Sequence, residues 1–450
     1  MTIEDPPQRL NVLRTMKIGT FHIGSSLVDL LTSGVLNRVL ITDLGLWATP
    51  VALLSALRYL LAPLSIWAGY RSDTHPIFGM RRLPYIWAGR IPMLLSLPLL
   101  PVVTALLAAD PRSLLGWALA VLAFLIYGVG TLLSGSTFLS LVRDSAPPTR
   151  RGQALSIVQI FLVVSFPLAG ILYGRLMPVY TPEALWRIVL TGMGLAALFF
   201  FFSLWGEERP GQVLAADSAE PQLPLPALLR EMWADQHTRR FFLFLAIGAM
   251  SAFAQDAVLE PFGGDVFGMT VGQTTRFNAY WGAGVLVSLL ATVVLTRHRQ
   301  AHEQTGTAAL GLALTAVPLA LLGAVALTRA ESMLVPVLFL FGIGFGIYTV
   351  GAISLLMAMT SDHRAGAYLG LWTVAQLLFR GLGIFLGGFV RDVVLLATGS
   401  FTVAYASVFL LEAVGLLVCV WLVIRVDVPG FARVRSLPAA PTAVLAAAAE

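Results

Sequence analysis

Gly69-Tyr70-Arg71-Ser72-Asp73-Thr74-His75-Pro76-Ile77-Phe78-Gly79-Met80-Arg81-Arg82 is a short, arginine-bearing stretch between two long apolar runs, 46–68 and 84–108. An α-helix needs about 20 apolar residues to cross a bilayer, and both flanking runs supply them. Strands of a membrane β-barrel alternate polar and apolar residues, and these runs do not. The stretch therefore reads as a connector between two membrane-spanning helices, with its arginines holding it at one membrane face.

The same grammar repeats outward in both directions. Spans are expected at 18–41, 46–68, 84–108, 114–142, 153–178, 185–206, 241–262, 277–296, 306–328, 333–360, 367–390 and 400–424. Only 12% of the 450 residues are charged and 57% are hydrophobic. Soluble domains carry roughly 25% charged residues, so a large soluble enzyme, a disordered chain and a nucleic-acid binder are excluded. The single cysteine, Cys419, lies in an apolar run and permits no disulfide framework. Residues 1–17 are polar and lack the pattern of a cleavable signal, so 18–41 reads as the first span.

With the N-terminus placed in the cytoplasm, most of the basic loop residues fall on the cytoplasmic side, including Lys17, Arg71, Arg81, Arg82, Arg90, Arg150 and Arg364. Both termini are thus expected inside. The expected organisation is a cytoplasmic segment 1–17, a six-helix half 18–206, a Pro-bearing cytoplasmic linker 207–240, a second six-helix half 241–424 and a mobile cytoplasmic tail 425–450. An internal repeat supports the two halves. Tyr127-Gly128-Val129-Gly130 returns as Phe341-Gly342-Ile343-Gly344, Ser140-Leu141 as Ser354-Leu355, and Arg150-Arg151-Gly152 as Arg364-Ala365-Gly366, all at one offset. Two parallel six-helix halves are the layout of the major facilitator superfamily.

The opening stretch resembles that superfamily's loop motif, Gly-x-x-x-Asp followed by Gly-x-Arg-Arg, through Gly69, Asp73, Gly79, Arg81 and Arg82, with a longer spacer after Asp73. In this reading Gly69 permits close helix approach. Asp73 meets a helix N-terminus or an arginine, and the arginines face anionic lipid. Further matches narrow the resemblance: Leu36-Asn37-Arg38-Val39 ending the first span, Gly69-Tyr70-Arg71-Ser72-Asp73, and Arg81-Arg82-Leu83-Pro84-Tyr85-Ile86-Trp87 entering the third. Together they are similar to the bacteriochlorophyll-delivery branch, the PucC/LhaA type. That resemblance implies a light-harvesting assembly factor in the inner, intracytoplasmic membrane of a phototrophic bacterium. Its cargo would be bacteriochlorophyll or a related chlorin. Its partners would be antenna polypeptides, with chlorophyll synthase, the protein insertion machinery and membrane lipids as further contacts.

Charges inside spans are costly, about 3 kcal/mol or more each at the bilayer centre, and so need a partner or a role. At about 1.5 Å rise per residue, Asp29 and Arg58 lie roughly 18–20 Å from the cytoplasmic face on consecutive spans. Arg380 and Glu412 match in depth in the same way. Two buried pairs are expected, Asp29–Arg58 and Arg380–Glu412, with Asp256 and Glu260 as competitors for Arg380. A chlorin magnesium takes one axial nitrogen or oxygen ligand. His22, the one histidine within a span, is the candidate, with Gln159, Asn278 and Gln376 as others. His298 and His302 lack a third ligand, so no metal site is expected. The glycine clusters lie inside spans with no preceding strand, so no nucleotide loop is expected. No catalytic set appears. The rival readings are a proton-coupled transporter of a small solute or chlorin, and a scaffold for pigment-synthesis enzymes that binds no pigment.

Overall fold

The computed structural model describes residues 10–147, 150–208, 236–296, 298, 304–358 and 365–425. Its elements are α1 (Val12–Gly19), α2 (Phe21–Leu30), α3 (Ala48–Leu60), α4 (Pro63–Thr74), α5 (Leu83–Ser96), α6 (Leu99–Ala109), α7 (Leu114–Asp144), α8 (Arg151–Leu176) and α9 (Pro182–Leu204). After the linker come α10 (Gln236–Phe253), α11 (Leu259–Phe267), α12 (Val271–Thr275), α13 (Phe277–Thr296), α14 (Thr305–Thr328), α15 (Leu334–Ala358), α16 (Ala365–Thr398) and α17 (Phe401–Arg425). No strand is present among the described residues.

Among the described residues ten helical stretches are long and apolar enough to cross a membrane, and an eleventh forms if α10 and α11, bent by 45° at Ala254–Ala257, count as one broken span. The first expected span is helical from Val12 to Asp43 but interrupted, with π turns at Leu31–Val35 and Val39–Asp43. Helix starts follow local chemistry. Ser113 and Thr181 accept from the amides three residues on, and Thr270 with Gln273 forms a capping box. The eighth span opens earlier than expected, at Val271, because that box nucleates α12.

The repeated glycines do one job twice. A methyl on Gly130 would lie 2.5 Å from the Gly89 carbonyl oxygen of α5, and one on Gly344 would lie 2.3 Å from the Leu314 carbonyl of α14. Without a Cβ at these positions the backbones come close enough to pack directly, which replaces the hydrophobic drive that lipid does not provide. Gly69 differs. A methyl there would meet nothing within 4 Å, so the close approach expected there does not occur.

The parts before Glu208 and after Gln236 meet along two seams. α3 runs against α16, and α8 runs against α12 and α13. At the end of the molecule away from the 69–82 loop, the seam is polar. Asp392 of α16 accepts from the Ala48 and Thr49 amides at 3.1 and 2.7 Å, capping α3 from the other part of the chain. Arg391 holds Asp265 and Asp392, each at 2.8 Å, and Arg38 holds Asp43 at 2.9 Å and the Met269 carbonyl at 2.8 Å.

Candidate functional site

The interior charges define the site. Arg58 Nη1 lies 2.8 Å from Asp29 and 3.0 Å from the Tyr127 hydroxyl, which itself donates to Asp29. Arg58 Nη2 donates to the Tyr59 hydroxyl at 2.7 Å. The second pairing differs from the sequence expectation. Arg380 Nη2 binds Asp256 Oδ2 at 2.8 Å, and Glu412 is not its partner. Both Glu412 carboxyl oxygens lack a hydrogen-bond partner among the described residues. Equal depth on neighbouring helices does not fix azimuth, and each residue turns a helix by about 100°. The break at Ala254–Ala257 supplies Asp256 at that depth.

Glu260 does not reach Arg380 either. It accepts from Asn278 Nδ2 at 2.7 Å and Thr275 Oγ1 at 3.2 Å. It rests on Gly34 of the first span, where a methyl would lie 2.1 Å from Oε1. Asn278, expected as a pigment ligand, thus has its amide nitrogen committed to a carboxylate. Gln159 is exposed on α8, and Gln376 is half-buried on α16.

His22 sits on α2 with both ring nitrogens buried and unpartnered among the described residues. Its ring is edge-on to Phe138 at 5.3 Å. Beside it is a charge that the sequence reading placed in a loop. Arg90 is 4% exposed within α5, its guanidinium over the rings of Phe21 at 4.5 Å and Phe200 at 4.7 Å. It reads as a loop residue because it follows a basic turn. Leu83–Ser96 is helical throughout, so Arg90 lies two turns inside.

Two guanidiniums share one aromatic ring at the α3–α16 seam. Arg58 lies over Tyr59 at 4.6 Å and Arg380 lies over it at 4.8 Å, with Phe253 at 3.9 Å also under Arg380. The result is an unbroken series, Asp29–Arg58–Tyr59–Arg380–Asp256, from the first span to the broken one. Tyr59 was missed from sequence, because an aromatic beside a span arginine carries no distinguishing pattern.

The loop motif closes on itself. Arg82 binds Asp73 at 2.6 Å, Asp144 at 2.9 Å and Ser72 Oγ at 2.7 Å, and Arg81 Nη2 donates to the Asp73 carbonyl at 2.9 Å. The longer spacer forms a tight turn with Ile77 bridged to Met80, Phe78 at φ 53° and Gly79 at φ 71°. Glu208 then accepts from the Arg82 and Leu83 amides at 2.9 and 2.8 Å and caps α5, while Glu207 binds Arg14 at 2.7 Å and Lys17 at 2.8 Å. Arg71 is exposed, and Arg150 donates to Gln153 at 3.3 Å. A methyl on Gly152 would meet open space. Arg364 lies outside the described residues, and Gly366 is in the first turn of α16.

The chain is an all-α membrane protein with glycine-packed spans and interior ion pairs. In fold the chain is similar to the nucleoside transporter NupG, 15% identical, with 93% of this chain and 99% of that one covered at a TM-score of 0.66. The sequence places it more narrowly: residues 35–431 match the PUCC protein family, and the chain belongs to that family. It is 28% identical over 402 residues to Protein PucC of Rhodovulum sulfidophilum, covering 87% of each chain. It is 30% identical over 394 residues to the Bacteriochlorophyll synthase 44.5 kDa chain of Rhodobacter capsulatus, covering 85% of this chain and 88% of that one.

Proposed function

We propose that this protein is a non-catalytic assembly factor for light-harvesting complexes, which holds bacteriochlorophyll and passes it to antenna polypeptides in a bacterial inner membrane, with both termini cytoplasmic. Family membership supports the role in photosynthetic pigment or complex assembly. The observation that carries the finer reading is the paired charge series between the two parts of the chain, whose side chains are 13 to 30% exposed. The series from Asp29 to Asp256 occupies the centre between the two parts of the chain, where a transporter would hold its solute. A chlorin, with its flat ring and long tail, is therefore expected at a lipid-facing contact with docked antenna helices. His22 is the proposed axial ligand, reaching that contact when its ring turns out of the packing against Phe138. Both of its imidazole nitrogens are buried without a hydrogen-bond partner among the described residues, and Phe138 and Phe21 offer aromatic neighbours.

The test is the absorption spectrum of the purified protein, joined to photocrosslinking. Co-purified pigment that falls in His22→Leu, with antenna crosslinks from outward residues such as Phe202 and Leu417, is the expected result. Proton-driven solute flux in vesicles, without pigment, would favour the transporter reading. The name of the Rhodobacter capsulatus relative, a bacteriochlorophyll synthase chain, favours a second reading as a scaffold for pigment synthesis. Binding of chlorophyll synthase without pigment would establish that reading instead.

A further inference from the structure

Glu412 is an interior acid with neither a salt-bridge nor a hydrogen-bond partner among the described residues. It is 2% exposed. The antiparallel register of α10 and α17 sets its surroundings. Cys419 Sγ reaches the Phe244 carbonyl at 3.8 Å, and a methyl on Gly415 would lie 2.0 Å from Ser251 Oγ. About one turn further along, Glu412 comes level with the helix break at Ala254–Ala257.

Acceptors already crowd that break. Gln255 is 2% exposed, and its Oε1 also lacks a partner. Its Nε2 is turned to the Ala252 carbonyl at 3.0 Å and to Asp256 Oδ1 at 3.4 Å. Asp256, bound to Arg380 at 2.8 Å, lies on the same break that Glu412 comes level with. The remaining ionisable neighbours are accounted for. Arg58 and Tyr59 of α3 lie beyond Arg380, and α14, packed on α17, carries no charged or histidine side chain. Tyr348 of α15 stands beside Gly248, and Glu260 of α11 is held by Asn278 and Thr275.

A buried carboxylate with no partner is too costly to persist, and two adjacent acids resolve the cost by keeping one proton between them. We infer that Glu412 and Asp256 form a one-proton binding site at the break between α10 and α11, and that its occupancy controls the grip of Asp256 on Arg380. With the proton on Glu412, Asp256 is anionic and holds Arg380. Transfer of the proton to an Asp256 oxygen breaks one O–H bond and forms another, and it moves the negative charge to Glu412. Arg380 then loses its ion pair and keeps only the Tyr59 and Phe253 rings, so the α3–α16 seam loosens. A metal cation fits less well, because Arg380 already brings positive charge. Among the described residues no group of three or more His, Cys, Asp or Glu is placed to hold a metal. The site stands apart from the assembly role and does not depend on it.

Infrared pH titration of the full-length protein in lipid nanodiscs tests this. A protonated-carboxyl stretch should be present at neutral pH, absent in Glu412→Gln and retained in Glu260→Gln. Alkali should bleach it. In Asp256→Asn the bleaching midpoint should fall by about one pH unit or more, the scale of a coupled acid pair. A band that survives in Glu412→Gln, a midpoint unmoved in Asp256→Asn, or bleaching by sodium at constant pH would each overturn the proposal. If Glu412→Gln does not fold, the Asp256→Asn midpoint decides alone.

Discussion

Arg380 of α16 lies over the ring of Tyr59 on α3 with 4.8 Å from guanidinium carbon to ring centroid, and this contact joins parts of the chain far apart in sequence. Each arginine on that ring has its own carboxylate, Asp29 for Arg58 and Asp256 for Arg380. The ring attracts both guanidiniums, which offsets part of the repulsion between the two like charges across the seam.

The pairing makes a double-mutant prediction. Arg380→Leu should leave Asp256 unpaired and cost up to about 3–5 kcal/mol, and Arg380→Leu with Asp256→Leu should recover much of that in thermal unfolding. The cycle of Arg380 with Glu412 should show much weaker coupling. Equal coupling in both cycles would refute the assignment of Asp256 as the partner.

Close packing at the repeated glycines predicts a position-specific cost. Gly130→Ala and Gly344→Ala each place a methyl within 2.5 Å of a neighbouring backbone, and overpacking of this kind costs about 1–3 kcal/mol. Gly135→Ala, on the same helix as Gly130 but facing open space, should be neutral or slightly stabilising. Melting of the three variants side by side separates packing from helix propensity.

Removal of the remote cap should weaken α3. Asp392→Ala deletes the acceptor of the Ala48 and Thr49 amides and one partner of Arg391. A lost cap costs about 1 kcal/mol, and the stranded arginine adds to it. Amide hydrogen exchange should rise first in the first turn of α3. An unchanged exchange rate there would show that the cap is not used.

Glu208 predicts protease sensitivity. Glu208→Ala removes the acceptor shared by the Arg82 and Leu83 amides, so trypsin should cut at Arg81 faster than in the parent. Glu207→Ala should instead free the N-terminal helix by releasing Arg14 and Lys17, with faster cutting at those residues. Identical digestion patterns for the two variants would contradict the division of labour.

Orientation is testable with reporters. A fusion after Arg425 should be active only with a cytoplasmic reporter, because basic residues gather in the loops on that side. Activity of a periplasmic reporter at that position would reverse the assignment.

The sequence alone determined the membrane class, nearly all the spans and the family resemblance. Those depend on run length, on charge at run ends and on local motifs, all properties of consecutive residues. It also brought Asp29 and Arg58 to one depth, because helical rise converts residue number into distance. Azimuth and breaks were out of its reach. Glu412 and Arg380 agree in depth, yet the turn at Ala254–Ala257 sets Asp256 against Arg380 and leaves Glu412 without a hydrogen-bond partner among the described residues. Arg38 ends the first expected span and Arg391 follows the eleventh, and only packing shows both buried at the polar end of the seams. The physical reason is that a buried charge is satisfied by whichever partner the packed helices bring within reach. That choice belongs to the tertiary structure, and it joined Tyr59 to two arginines from distant stretches of the chain.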